Sequence, residues 1–261
     1  MRDKNYNYLI NSVIRVTDIL EEMVKNGGDV RIKDLSETLG VTKSTIHRFL
    51  TTLEYKGYVE QKEDGTYRLS LKLFEMGNTM LSSLDLHSCS LPLLQELNKR
   101  VGEAIHLVIL DKGDAVFINK LASHPALVTY SYIGKRIHAH SLGSGKVLLA
   151  YLSEEELESI IAEKGLPSYT PYTITSKEKL KFELAQIKKQ DLAYSMEEYQ
   201  MGVVGVAAPI KNHLGQVIAS VSISGSSIDF KSPRLEQFAV AVKETTRAIS
   251  EKLGYREAIE R

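Results

Sequence analysis

Residues 41–53 constrain what this chain can fold into more than any other stretch. Ile46, Phe49, Leu50 and Leu53 recur at i, i+3, i+4 and i+7, the apolar stripe of one helix. Thr42, Lys43, Ser44, His47, Arg48 and Thr51 occupy the remaining face. Short hydroxyls, backbone N–H groups and cations gathered at a helix start are the groups that hold phosphate. The stripe therefore demands a core, and the outer face suits an anionic partner.

The neighbouring residues supply that core. Residues 7–25 read as a first helix with Val13, Val16, Leu20, Met23 and Val24 on one face, stopped at Gly27 and Gly28. A short second helix over 33–39 turns Ile32, Leu35 and Leu39 inward. Gly40 and Val41 make a sharp corner, and Thr42 caps the third helix. Past Gly57, residues 58–61 read as a strand, 62–66 as a turn with an Asp-Gly signal, and 67–69 as the return. Three helices, a tight turn and a hairpin in that order make a winged helix-turn-helix, whose third helix enters the major groove of DNA. Its wing would carry Lys62 and Arg68 to flanking phosphates or the minor groove.

Total charge gives no sign of such a partner. The 261 residues carry 33 basic and 33 acidic side chains, and the first eighty are balanced as well. DNA binders usually show a basic excess, so affinity must come from how the charge is arranged. The length fits two domains. An apolar share of 43% supports packed cores, and a charged share of 25% argues against disorder. A single cysteine, Cys89, excludes a disulfide within the chain and argues against a thiolate metal cluster. No apolar run reaches membrane-spanning length and the first residues are polar, so a soluble, cytoplasmic protein without a membrane partner is expected.

The expected fold class is α+β. Residues 6–70 form the winged helix-turn-helix domain and 71–87 a linker helix with Leu71, Phe74, Leu81 and Leu84 as its apolar residues and Gly77 as its weak point. Residues 88–254 form a second domain. There a helix over 91–101 precedes a hairpin of 104–110 and 115–121. Residues 127–133 are a further strand candidate, and helices are expected over 144–152, 154–164 and 177–190. Long strands over 203–211 and 216–224 and a helix over 233–253 close the chain. Antiparallel hairpins with outer helices favour α+β over a doubly wound sheet.

Residues 136–150 are the most informative part of this domain. Gly143, Gly145 and the helix start beside them let backbone N–H groups approach a small anion. The segment is not a phosphate-binding P-loop: His140 stands where its first glycine belongs, and Val147 replaces the magnesium-binding hydroxyl. His138 and His140, even with Cys89 or His106, lack a third ligand at recognisable spacing, so no metal and no cofactor are expected. In the strand around Ser220, alternation sets Ser220, Ser222 and Ser224 on one face and Val221 and Ile223 on the other. Such a row of hydroxyls suits a carboxylate or sugar hydroxyls, and serine strands are also common at sheet edges.

Residues 12–16, 43–50, 57–59 and 67–77, the last reading Tyr-Arg-Leu-Ser-Leu-Lys-Leu-Phe-Glu-Met-Gly, resemble the IclR family of bacterial transcription regulators. The likeness spans nearly the whole chain and is greatest to the KdgR-type subgroup, regulators of sugar-acid catabolism. It implies a GAF- or PAS-like effector-binding second domain, assembly as a homodimer or dimer of dimers, and a double-stranded operator. Arg15, Thr42, Lys43, Ser44, Thr45, His47 and Arg48, with Lys62 and Arg68 of the wing, would contact DNA. The resemblance also implies that Ala126, Thr129, Ile137, Gly143, Ser144, Ser195, Gly205, Ser222 and Ser224 line a pocket for a small carboxylate or sugar acid. Ser195 stands where other members can carry an acid, and Gly205 where they can carry a cysteine.

The leading expectation is thus a transcription regulator, with repression the expected sign, whose operator binding follows a small acid. Two other readings stay open. An enzyme would use Glu197 and Glu198 beside Tyr199 as acid and base, although acids before a strand are usually solvated. A ligand-sensing interaction module would turn its winged helix toward protein, which the neutral charge permits.

Overall fold

The computed structural model describes residues 9–27, 29–82, 85–123 and 131–256, without the side chains of 78–82 and 85. The chain divides into two units, Met1–Ser83 and Leu84–Arg261.

In the first unit, α1 (Asn11–Lys25), α2 (Ile32–Leu39) and α3 (Lys43–Tyr55) precede the hairpin of β1 (Val59–Gln61) and β2 (Tyr67–Leu69), and α4 (Leu71–Ser82) follows. Ile46, Leu50 and Leu53 are buried from α3, against Leu35 of α2 and Ile19 and Met23 of α1. Val59 and Tyr67 close this core, and Val30 bridges to Tyr67 as a third edge of the wing. The stripe of α1 differs from expectation. Val16, Ile19, Leu20 and Met23, at i, i+3, i+4 and i+7, face inward, whereas Val13 and Val24 are exposed. Ile19, absent from the expected face, is its centre.

The end of α3 is tied to the start of α4. Ser70 N–H donates to the Tyr58 carbonyl at 3.0 Å, and Ser70 Oγ donates to that of Gly57. Lys72 Nζ donates to the Lys56 carbonyl at 2.7 Å and lies over the Tyr58 ring. Leu71 and Phe74 of α4 are 68% and 66% exposed within one chain, so no core of this unit covers them. Leu84 and the side chain of Leu81 fall outside the described residues.

The second unit holds α5 (Asp85–Val101), β3 (Ala104–Asp111), β4 (Asp114–Leu121), β5 (Arg136–His138), a 3₁₀ turn (Ala139–Ser141), α6 (Gly143–Leu149), α7 (Glu154–Lys164), α8 (Lys177–Gln190), β6 (Ala193–Met196), β7 (Val203–Lys211), β8 (Val217–Ser226) and α9 (Arg234–Lys252). The six strands form one antiparallel sheet in the order β5-β4-β3-β8-β7-β6. α6 packs on β3, β7 and β8, and α5 and α9 pack on each other and on the sheet, so the class is α+β as expected. α5 starts before the expected position and carries Pro92 inside it, at the loss of one backbone hydrogen bond. β5 and β6, of three and four residues, had no expected counterpart. The described part of the strand candidate over 127–133 is turn and coil, and 127–130 lie outside the described residues.

Candidate functional site

Two surfaces stand out, one in each unit. On α3, Thr42 caps the helix by accepting from the Thr45 amide at 3.4 Å. Thr42, Lys43, Ser44, His47 and Arg48 are exposed and Thr45 is half-buried. Thr42 Oγ1 lies 3.2 Å from Ser44 Oγ and 2.9 Å from Thr45 Oγ1, a hydroxyl cluster at the helix start. Among the described residues, Lys43, His47 and Arg48 enter no ion pair, and α3 has no acid before Glu54. The exposed face is thus a local positive surface on a balanced chain. Arg15 is exposed on α1. The wing cations differ: Lys62 Nζ donates to Asp29 at 2.6 Å, and Arg68 donates to Glu60 at 2.8 Å. A paired cation offers less net field to phosphate than a free one.

In the second unit a cavity of about 70 Å³ opens between α6 and the sheet. Ile137, Gly143, Ser144, Ser195, Gly205, Ser222 and Ser224 line it, which brings together seven of the nine expected pocket positions. Ala126 and Thr129 lie outside the described residues. Cross-strand register does the gathering. Ser195 faces Gly205, Gly205 faces Ser224, and His106 faces Ser222. The serine row divides by role. Ser220 Oγ donates to the Ser144 carbonyl at 3.0 Å and so seats α6 on the sheet, while Ser222 and Ser224 reach the cavity.

Sequence reasoning missed several of its walls. His106, Phe117, Ser131, Leu142, Tyr199, Gln200 and Val203 also line it. His106 is buried, with Nε2 2.9 Å from Ser131 Oγ and Nδ1 3.3 Å from Ser224 Oγ, and its ring stands edge-on to Phe117. Burial, reinforced by Lys120, pushes its pKa down to about 3, so the ring is neutral. Tyr199 packs on Tyr169 at 5.0 Å and lies under Lys135 Nζ at 5.3 Å.

A Cβ on Gly145 would lie 2.1 Å from the Ala139 carbonyl oxygen, so close packing on the 3₁₀ turn requires a glycine there. One expectation needs correcting. Of the two acids beside Tyr199, Glu198 is not solvated. Glu198 is buried and takes a bond from Lys146 Nζ at 2.7 Å, while Lys146 also reaches Glu183 at 3.2 Å. Burial raises the Glu198 pKa and Lys146 opposes the rise. Glu197 accepts from the Gly202 amide at 2.7 Å in a turn. His140 Nε2 donates to the Pro167 carbonyl at 3.1 Å, and His138 Nδ1 bonds Tyr169 OH. Among the described residues no three His, Cys, Asp or Glu side chains gather into a metal site, and no helix is long and apolar enough to cross a membrane.

Comparison with known proteins matches both units. Residues 12–63 match the IclR helix-turn-helix domain, and residues 78–251 match the family described as bacterial transcriptional regulator IclR C-terminal. The HTH-type transcriptional regulator XynR of Escherichia coli is 37% identical over 95% of this chain and 98% of its own length. The HTH-type transcriptional regulator KdgR of Escherichia coli is 36% identical over 94% of each. A solved IclR homologue from Microbacterium hydrocarbonoxydans, complexed with 4-hydroxybenzoate, superposes with a TM-score of 0.85 at 26% identity, over 93% of this chain and 98% of that one.

Proposed function

The chain belongs to the IclR family of bacterial transcriptional regulators, close to KdgR, and from that premise we propose how its two surfaces work together. It is a DNA-binding regulator and not an enzyme, as its relatives are. The exposed face of α3 reads the operator, with Lys43, Ser44, His47 and Arg48 against the major groove and Arg15, Thr42 and Thr45 beside them. Lys62 and Arg68 flank this contact. The observation that carries the reading is the hydroxyl cluster on one face of α3 together with cations that enter no ion pair among the described residues, on a chain whose formal net charge is zero.

The cavity beside α6 takes a small organic or sugar acid. The homologue with 4-hydroxybenzoate bound supports an acid in this domain. Two copies pair through the exposed apolar residues of α4, Leu71 and Phe74, which suits a two-fold operator. Effector binding favours one spacing of the paired α3 helices over another, and α4, fastened to the end of α3, carries the difference.

Labelled DNA from the region upstream of the gene tests this in a gel-shift titration with unlabelled competitor. Salt-sensitive, sequence-selective binding that a small acid shifts is the expected result. Equal affinity for any DNA, or none, would overturn it.

A further inference from the structure

The second unit has another, larger crevice of a different kind. It measures about 430 Å³, lies between α9 and the end of β7, and shares no wall residue with the cavity beside α6. Lys211, Lys243 and Arg247 enter its wall, together with two acids, Asp191 and Glu244. The acids are already committed. Asp191, in the left-handed conformation at the end of α8, accepts from Tyr151 OH on one carboxylate oxygen and from Lys211 Nζ at 2.7 Å on the other. Glu244 is held at 2.7 Å by Arg100 of α5, which is not in the wall.

The cations of α9 are held more loosely. Lys243 Nζ donates to the Gln190 carbonyl at 2.9 Å, a neutral acceptor that leaves its charge in place. Arg247 reaches Glu251 at 3.4 Å, with the two side chains 64% and 60% exposed. Such an exposed pair is weak and yields readily to a stronger partner. Lys211 is fixed in the floor: its side chain is 17% exposed, and its Nζ lies over the rings of Tyr151 and Tyr255 at 5.7 and 5.6 Å. A monocarboxylate has two oxygens to share among three cations, whereas the terminal oxygens of a phosphate can serve all three, with the guanidinium taking two in its fork. The volume leaves room for more than the phosphate itself. Carboxylates keep lone pairs beyond the bonds they make here, so Asp191 and Glu244 suit hydroxyl donors on the rest of a ligand.

We propose that this crevice is a second ligand site, for a phosphate monoester of a polyhydroxy compound. Lys211, Lys243 and Arg247 take the phosphate, and Asp191 and Glu244 accept hydrogen bonds from the hydroxyls. The site is independent of the small-acid cavity and of the operator face.

Calorimetric titration of the full chain at fixed ionic strength tests this, with inorganic phosphate, glycerol-3-phosphate, glucose-6-phosphate and glucose as probes. At least one ester should bind about tenfold or more tightly than inorganic phosphate, and glucose should give no signal. Arg247→Ala and Lys243→Ala, at exposed positions, should each weaken that ester about tenfold, and thermal melts check that both fold. Glu244→Gln should narrow the ratio of ester to inorganic phosphate. Arg48→Ala, which removes a cation of α3, should leave ester binding unchanged. Absence of binding by every phosphate probe at millimolar concentration, esters no tighter than inorganic phosphate, or glucose bound as well as its ester would each overturn the proposal. Binding that Arg48→Ala abolishes while Arg247→Ala and Lys243→Ala leave it unmoved would place the anion on α3 and overturn it as well.

Discussion

His106 ties a buried contact to a bulk measurement. Its pKa of about 3 lies below the ordinary 6.5, so as pH falls the unfolded chain takes up the proton first. Its contribution to stability is therefore full above 6.5 and is lost between 6.5 and about 3, at up to ~1.4 kcal/mol per pH unit for one proton. Denaturant melts across that window should lose stability less steeply in His106→Phe than in the natural chain; equal slopes would place the acid sensitivity elsewhere. A second pair separates packing from binding. Gly145→Ala sets a Cβ against the Ala139 carbonyl and should destabilise the fold by about 1–3 kcal/mol. On Gly143 the nearest atom to an added Cβ is the Ser195 amide nitrogen at 3.5 Å, so Gly143→Ala should fold normally and change ligand affinity instead. Thermal denaturation beside ligand titration would tell the two apart, and equal melting temperatures for both variants would contradict the assignment. At this scale the serine row could be read from alternation alone. His106 could not, because its place opposite Ser222 follows from the pairing of β3 with β8, strands far apart in the sequence.

Elements with a strong period were legible. The stripe of α3, the corner at Gly40 and the capping by Thr42 all follow from local chemistry. β5 and β6 were not, since three or four residues give no period and each exists only as the edge of a sheet whose centre is distant in sequence. The rotation of the α1 stripe onto Ile19 was likewise settled by what α2 and α3 offer it. Lys146 shows an element-scale device that composition conceals. It staples α6 to Glu198, next to the cavity residues Tyr199 and Gln200, and to Glu183 of α8. Lys146→Met would leave Glu198 buried without its cation, at a cost of about 3–5 kcal/mol. Because the Glu198 pKa is already raised above 4.5, the cost of its charge is present above the folded value and is relieved as pH falls toward 4.5. Urea denaturation of Lys146→Met should therefore show lower stability at neutral pH and a larger gain on acidification than the natural chain. A variant as stable as the natural chain would refute the staple.

For the whole molecule, a formal charge of zero conceals an uneven distribution. Acids neutralise the wing cations, while Lys43 and Arg48 of α3 enter no ion pair among the described residues. Family membership was legible from short motifs spread along the chain, whereas the proposed pairing of copies is argued from the exposed Leu71 and Phe74. Light scattering should give a dimer or larger for the natural chain and a shift toward monomer for Leu71→Glu with Phe74→Glu; an unchanged mass would move the interface elsewhere. The central claim is that the exposed face of α3 is what meets the operator. Its most direct test is fluorescence anisotropy on upstream DNA over a range of salt, comparing the natural chain with Arg48→Ala and Arg68→Ala. Arg48→Ala should bind about tenfold more weakly, with a salt slope smaller by about one, whereas Arg68→Ala, neutralised in place by Glu60, should lose much less. Arg48→Ala binding as tightly as the natural chain at every salt concentration would contradict the account.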